Sequence, residues 1–552
     1  MTQQKVNLGA AQGSFRQAQA WLHTWCGLWV SWLLFAILLT GTLAVFKEPI
    51  THWMTPEHHA EEAAEEEKTP HIPAEGDRAR RLAFGLAYME KHHPGAEMWE
   101  LWPSNAEGAG HLIAYWFDSK REYAAARLDP LTGEVVAPVK PRARSTQGGH
   151  HFVEFHHNLH AGQPGLWVVG MAALAMLVAL VSGVITHRRI FKDFFTLRIG
   201  KGQRSWLDAH NIAGVLTLPF QLMIAYTGIM ISAAIFMPSG VLTFFGKGST
   251  GAVAFETAVD DAGKPARSGV SMAVPELEAF ASRGQQLIRQ PVRAVVIDHP
   301  GDAAARIGVY GWNADDELLD RLSATTGRVL FSAATGEVLS VRQPGAVGGG
   351  SVALAQSAMI GLHKVKFGGL MLKWLYFFCG LAGSAMVATG AILFTVKRRT
   401  RHLGEFGSAS TRLYSLIEGL NTTAIAGVPL ACVGYLWGNR LIPVEIAHRR
   451  DWELAMFFGL WLLSLIHAVS RDSSAVWKEQ LAALATLCFL LPLLNWLTVG
   501  DHLVAQIQRG DWESAGVELF VILFGVASTM ACRSLCRRAS GAARTSVAEA
   551  SV

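Results

Sequence analysis

The 552-residue chain is 51% apolar and only 17% charged, with a mean hydropathy of +0.25; this composition excludes an ordinary water-soluble globule and indicates an integral membrane protein. The net charge of +4 gathers in a few short loops, so it reports on topology and argues against a nucleic-acid partner. The six cysteines (Cys26, Cys379, Cys432, Cys488, Cys532 and Cys536) lie in or at the end of apolar segments with no CxxC or CxxCH pair, which excludes a disulfide framework, a structural zinc site and covalent c-type haem.

Residues 1–20 carry Lys5 and Arg16 and lead into an apolar run too long for the core of a cleaved signal, so the first span is expected to stay as an anchor. Runs free of Asp, Glu, Lys and Arg extend from Gln17 to Phe46, Phe155 to His187, Ala209 to Gly246 and Trp374 to Val396, each exceeding the ~20 residues that cross a bilayer as helix. They place spans at 21–46, 155–187 and 206–240, and a fourth within 356–396 together with the segment before it. Four more spans are expected within 419–535, from Gly419 to Asn439, Leu454 to Ser470, Gln480 to Gly500 and Leu519 to Cys532, the last needing Ser514 to Val517 to reach across. The loop 188–205 holds Arg188, Arg189, Lys192, Arg198, Lys201 and Arg204, and the loop 397–418 holds Lys397, Arg398, Arg399, Arg401 and Arg412. The positive-inside rule puts both loops, the N-terminus and the tail 536–552 on the cytoplasmic side, and the segments 47–154 and 241–355 outside.

Each outward segment reads as a small α+β module. Helical stretches from Asp77 to His92 and from Val274 to Ile288 precede strand-like runs at Met98–Trp102, His111–Phe117, Val292–Ile297 and Arg306–Trp312. Both modules end in a TGEV turn, DPLTGEVV at Asp129–Val136 and SAATGEVL at Ser332–Leu339, where glycine supplies the positive φ that a tight reversal needs. The acidic stretch from Glu57 to Lys68, with His58 and His59, reads as a solvated linker.

The two halves repeat. His23 is followed by Gly27 and by Thr40-Gly41, and His210 by Gly214 and by Thr227-Gly228, at identical offsets of 4, 17 and 18. His156 precedes Ser182-Gly183, and His363 precedes Thr389-Gly390, at equal offsets of 26 and 27. A duplicated membrane protein places its site between the copies, and an unpaired imidazole inside a bilayer is costly, so such histidines mark a site. Two same-sense copies put His23 with His210 at one level and His156 with His363 at another. A pair of imidazoles on facing helices can take both axial positions of a noncovalent b-type haem, with the glycines giving room for a flat macrocycle or for close helix approach. Each histidine alone also fits a polar anchor at a helix end. His160 and His187 lack histidine counterparts in the second copy and read as reserve ligands or propionate partners. On one straight helix, His156 would stand roughly 40 Å from Gly183, a wide gap between haem levels. Trp99, Trp102, Trp116 and Trp312 fit module core or interface residues, and His448 and His467 fit structural roles.

The segments HTWCGLWVSW, FHHNLHAGQPG, WLDAHNIAG and GLHKVKFGG, with the two TGEV turns, resemble the PepSY-associated transmembrane family, which includes iron-regulated inner-membrane proteins and siderophore ferric reductases. The resemblance covers roughly residues 15–400. Taken with the eight expected spans, it gives an all-α polytopic membrane bundle of about eight transmembrane helices with two periplasmic α+β PepSY-like domains. It further implies two b-type haems held by His23, His210, His156 and His363, with no catalytic groups beyond these ligands. Electrons would pass from quinol or a cytoplasmic reductase outward across the bacterial inner membrane to a ferric siderophore, releasing ferrous iron. A non-redox regulator that binds a periplasmic protease or peptide, and a transporter of intact siderophore, are the competing expectations. No role follows for the spans beyond residue 419.

Overall fold

The computed structural model describes residues 8–57, 75–103, 112–117, 123–136, 144–187, 198, 200–236, 238–246, 267–312, 326–344, 350–365, 367–401 and 408–550. His58, His59 and all of the acidic linker after Glu57 lie outside the described residues, as does most of the basic loop 188–205. Among the described residues, eight helices are long and apolar enough to cross a membrane: Ser14–Ala44, Gly162–Thr186, Gln203–Ile231, Gly369–Lys397, Leu413–Leu441, Arg449–Ser470, Ser473–Val499 and Trp512–Arg537. They are numbered spans 1 to 8. The chain is a mostly helical, multi-pass membrane protein with the expected number of spans.

The spans depart from the charge-free runs where the backbone dictates a break. Residues 155–187 do not form one helix: a short helix His150–Asn158 precedes span 2, because Leu159 and His160 adopt left-handed φ values of 57° and 55°. Such a conformation cannot propagate a right-handed helix. Span 4 is likewise separated from the helix Gly350–Lys364 by positive φ at Val365, Gly368 and Gly369. Span 5 contains a π turn at Thr423–Gly427 just before Pro429, which has no N–H to continue the regular ladder.

The chain divides into two compact units. The first comprises residues 1–59, 143–229 and 373–552. Polar staples tie its helices together. The Asn421 amide on span 5 donates to Ala391 O on span 4 (3.2 Å) and its Oδ1 accepts from Trp32 Nε1 on span 1 (2.7 Å). Gln221 on span 3 donates to Cys379 O on span 4 (3.1 Å). In an apolar setting each satisfied amide fixes which helices adjoin.

The second unit comprises residues 60–142 and 230–372. Its described strands are β1 (Met98–Trp102), β2 (Leu112–Phe117), β3 (Tyr123–Leu128), β4 (Val292–Asp298), β5 (Arg306–Gly311), β6 (Arg328–Ser332) and β7 (Val338–Arg342). The sequence suggests two separate modules. In the structure their strands make a single antiparallel sheet in the order β3-β2-β1-β4-β5-β6-β7. The modules meet through their first strands, with Trp99 opposite Ile297 and Leu101 opposite Val295. This pairing removes the two open edges that isolated modules would expose. The helices Glu75–His92 and Leu277–Ile288 share a core with the sheet through Leu82, Met89, Leu101, Ile297 and Phe331, and Arg78 ion-pairs with Glu278 between them. Trp99 belongs to this core. Both TGEV turns carry the expected glycine, with φ of 73° at Gly133 and 69° at Gly336. At Asp302 a ring of donors, led by Ser268 Oγ, holds the carboxyl well below the usual carboxylate range.

Candidate functional site

Within the first unit, His23 on span 1 and His210 on span 3 line one cavity with His187. The His23 Nδ1 lies 2.8 Å from Ala179 O on span 2, and the His210 Nδ1 lies 2.8 Å from Met386 O on span 4. A carbonyl only accepts, so each ring carries its proton on Nδ1 and keeps the Nε2 lone pair for a ligand. This orientation by a second group is the usual arrangement behind a metal-ligating histidine.

The paired Ser/Thr-Gly motifs explain why those carbonyls are placed there. The Ser182 and Thr389 hydroxyls turn back onto their own helices, donating to Ala179 O (3.1 Å) and Met386 O (3.0 Å), the same oxygens that the histidines use. The next residue is glycine in both cases, and a Cβ there would sit 3.0 Å from Cε1 of His23 at Gly183 and 3.0 Å from Cε1 of His210 at Gly390. The motif thus presents a carbonyl and clears a berth for an imidazole. The sequence repeat alone suggests helix packing for these small residues; the structure makes them seats for the rings.

His156 follows the same rule at a second level. Its Nδ1 lies 2.8 Å from Ile37 O on span 1, Thr40 Oγ1 also donates to Ile37 O (3.2 Å), and a Cβ on Gly41 would meet His156 Nδ1 at 2.5 Å. The fourth copy, Thr227-Gly228, has the same internal bond from Thr227 Oγ1 to Ile224 O (3.2 Å). Its counterpart by the repeat, His363, belongs to the second unit, at the end of helix Gly350–Lys364. Ile37 lies 14 residues beyond His23 on one continuous helix, roughly 21 Å along its axis. The broken helix before span 2 therefore replaces the wider separation expected for an unbroken one.

The His23 and His210 ring centroids are 6.3 Å apart. A ligating imidazole nitrogen stands about 2 Å from its metal and about 1.1 Å from its own ring centre, so two rings on opposite sides of one iron have centroids about 6 Å apart. His187 is also 6.3 Å from His23, with its ring plane turned by 83°. The cavity measures about 460 Å³, within the range of cofactor sites. Gly27 and Gly214 line it, and a Cβ at Gly27 would meet nothing within 4 Å; that is the open space a flat macrocycle needs. Ser31, Asn211 and Lys397 add polar groups. Among the described residues no three or more His, Cys, Asp or Glu side chains are placed to hold a bare metal ion. The donor set suits paired axial ligation of haem iron.

His160 does not stand beside His156's carbonyl. Its Nε2 lies 2.9 Å from His151 Nδ1, and the two rings stack with centroids 5.0 Å apart. His151 is fully buried, and burial, reinforced by His160, pushes it down to about 3; it stays neutral at physiological pH. His151 has no histidine at the corresponding place in the second copy, so the repeat gave no signal for it. The carbonyls of Ile37, Ala179 and Met386 carry no side-chain signature. His467 pairs with Glu479 (2.8 Å), and His448 caps span 6 in a left-handed conformation.

An uncharacterised protein of Pseudomonas aeruginosa, PA4219, is 24% identical over 395 residues, covering 68% of this chain and 91% of the relative. Residues 20–397 match the family described as the PepSY-associated TM region. That stretch contains both copies of the repeat and every Ser/Thr-Gly berth, and the chain belongs to the PepSY-associated TM region family.

Proposed function

We propose that the protein is a dihaem, b-type oxidoreductase of the bacterial inner membrane that reduces ferric siderophores on the periplasmic side and releases ferrous iron. The observation that carries this reading is the shared geometry of His23 and His210, each with Nδ1 on a carbonyl, its ring against a glycine and Nε2 turned from that carbonyl, with the carbonyl and glycine contacts repeated at His156. A b-type haem held by these residues would supply a one-electron carrier, and the imidazoles holding it would tune its potential.

The chain's own residues do the rest. His23 and His210 are the ligands at one level, and His156 with His363, assigned by the repeat, at the other. Hydrogen bonding of the His23, His210 and His156 Nδ1 atoms would raise the basicity of the opposite nitrogen. His187 and Lys397, both on the cavity lining, are the partners for propionate carboxylates. The basic loops after spans 2 and 4 set the termini and the His23 level toward the cytoplasm, where quinol or a cytoplasmic reductase delivers the electron, and the sheet unit then faces the periplasm. Hard siderophore oxygens hold ferrous iron far less tightly than ferric iron, so one electron per iron suffices, without a protein acid or base.

Proteoliposomes containing the dithionite-reduced protein, freed of excess reductant, test the activity. Adding a ferric siderophore with a ferrous-specific chelator is expected to reoxidise the protein and form one ferrous chelate per haem reoxidised, two per chain. A protein that stays reduced while a panel of hydroxamate, catecholate and carboxylate siderophores is offered would contradict the assignment.

A further inference from the structure

The spans beyond the repeat grip the short helix that carries His156. Residues 144–149 form no helix or strand among the described elements, yet spans 5 and 6 bind this segment repeatedly. Arg144 donates to Asn439 O (2.8 Å) and Arg449 to Ser145 O (3.1 Å). Thr146 Oγ1 donates to Glu453 Oε2 (2.5 Å), and Tyr435 OH donates to Gly148 O (3.0 Å). Behind Glu453, which is fully buried, Arg449 and the Asn439 amide (2.8 Å) satisfy the other carboxylate oxygen.

The helix itself is held by rings. His151 lies 4.4 Å from Tyr435 and 4.5 Å from Phe457 between ring centroids, and Phe155 lies 5.4 Å from Phe457. His156 follows Phe155 directly, and its own ring is fixed on span 1 by Ile37 O and Gly41. The two copies differ here in a telling way. Aligned on His156 and His363, the second copy has Ala358, Met359 and Leu362 where the first has His151, Phe152 and Phe155. The first copy thus carries the rings that pack against Tyr435 and Phe457, and the second copy has none of them at the aligned positions.

We propose that the C-terminal spans are a clamp built onto the repeat, in which Tyr435 and Glu453 are positioning residues that fix the orientation of the His156 imidazole. The inference rests on His156 being a haem ligand; the clamp itself does not. A ligand ring held on both sides keeps its orientation through oxidation and reduction, and axial-ligand geometry and hydrogen bonding tune a haem's potential.

The test uses the full chain in lipid nanodiscs with Tyr435→Phe and Thr146→Val, which each remove one hydroxyl and keep the side-chain volume, and Thr146→Ser, which restores the donor. Amide hydrogen exchange over residues 150–158 is expected to rise about tenfold in the first two variants, to return to the wild-type rate in Thr146→Ser, and to stay unchanged around His23 and His210. In a redox titration one of two haem midpoints is expected to move by about tenfold in its equilibrium constant, 59 mV for one electron. Unchanged exchange over 150–158, or a rise spread evenly over the protein, overturns the clamp. A faster-exchanging segment with both midpoints unmoved overturns its effect on His156. A wild-type preparation without haem overturns the ligand reading, while the exchange result still decides the clamp.

Discussion

Gly41→Ala is expected to remove the haem at the His156 level and leave the His23 level intact. The new methyl would lie 2.5 Å from Nδ1 and 2.6 Å from Cε1 of His156, about 1 Å inside ordinary contact distance. The ring must move away, and in moving it loses the bond to Ile37 O that fixes its tautomer. Span 1 is also packed closely at the next residue, where a Cβ at Gly380 on span 4 would collide with Thr42 Oγ1 at 2.3 Å, which limits how far it can yield. Overpacking of this kind costs about 1–3 kcal/mol in stability, with the loss of the ligand added to it. Pyridine-haemochrome quantitation should fall to half the wild-type value. Gly183→Ala and Gly390→Ala, with Cβ at 3.0 Å from the facing ring carbon, should weaken haem binding at the other level less severely. Gly459→Ala on span 6, where nothing lies within 4 Å, should bind haem as the wild type does. A Gly41→Ala protein with a full haem complement would show that the berth has no part in cofactor binding.

Glu453→Ala is expected to cost the largest stability of any single change in the C-terminal spans. Glu453 is fully buried and Arg449 is 2% exposed, so removing the carboxylate strands a guanidinium in a water-poor setting. Breaking a buried pair in this way costs about 3–5 kcal/mol, and Asn439 and Thr146 lose an acceptor as well. Replacing both members, Glu453→Met with Arg449→Met, removes the stranded charge and should recover much of the loss. Unfolding in detergent, followed by a double-mutant cycle, measures the coupling. A single variant that unfolds like the wild type, or a cycle with no coupling, would show that the pair does not bear on stability.

The spans were readable because a bilayer tolerates few unpaired charges, and runs free of Asp, Glu, Lys and Arg mark the eight helices. Strands β1, β2, β4 and β5 and the TGEV turns were readable from strand-like patterning and glycine, whereas β3, β6 and β7 were not picked out. The histidine pairs emerged from equal offsets in two copies, a signal that needs no alignment. Three features escaped. The break at Leu159 and His160 depends on local backbone conformation that residue type does not require. The joining of the two modules through β1 and β4 is a long-range pairing with no local mark. The clamp on residues 144–149 ends mostly on backbone carbonyls, which every residue has, and Glu453 and Arg449 look in sequence like charges at a helix end. The glycines of the Ser/Thr-Gly motifs were visible as a repeat, but the meaning of Gly41, Gly183 and Gly390 lies in a ring that arrives from another helix.

Haem content of the purified wild-type chain and of His210→Ala bears most directly on the central claim. The account predicts sharp reduced b-haem bands and two haems per wild-type chain by pyridine haemochrome, falling to one in His210→Ala as the His23 partner is lost. A colourless wild-type protein, or a His210→Ala variant that keeps both haems with unaltered spectra, would contradict it.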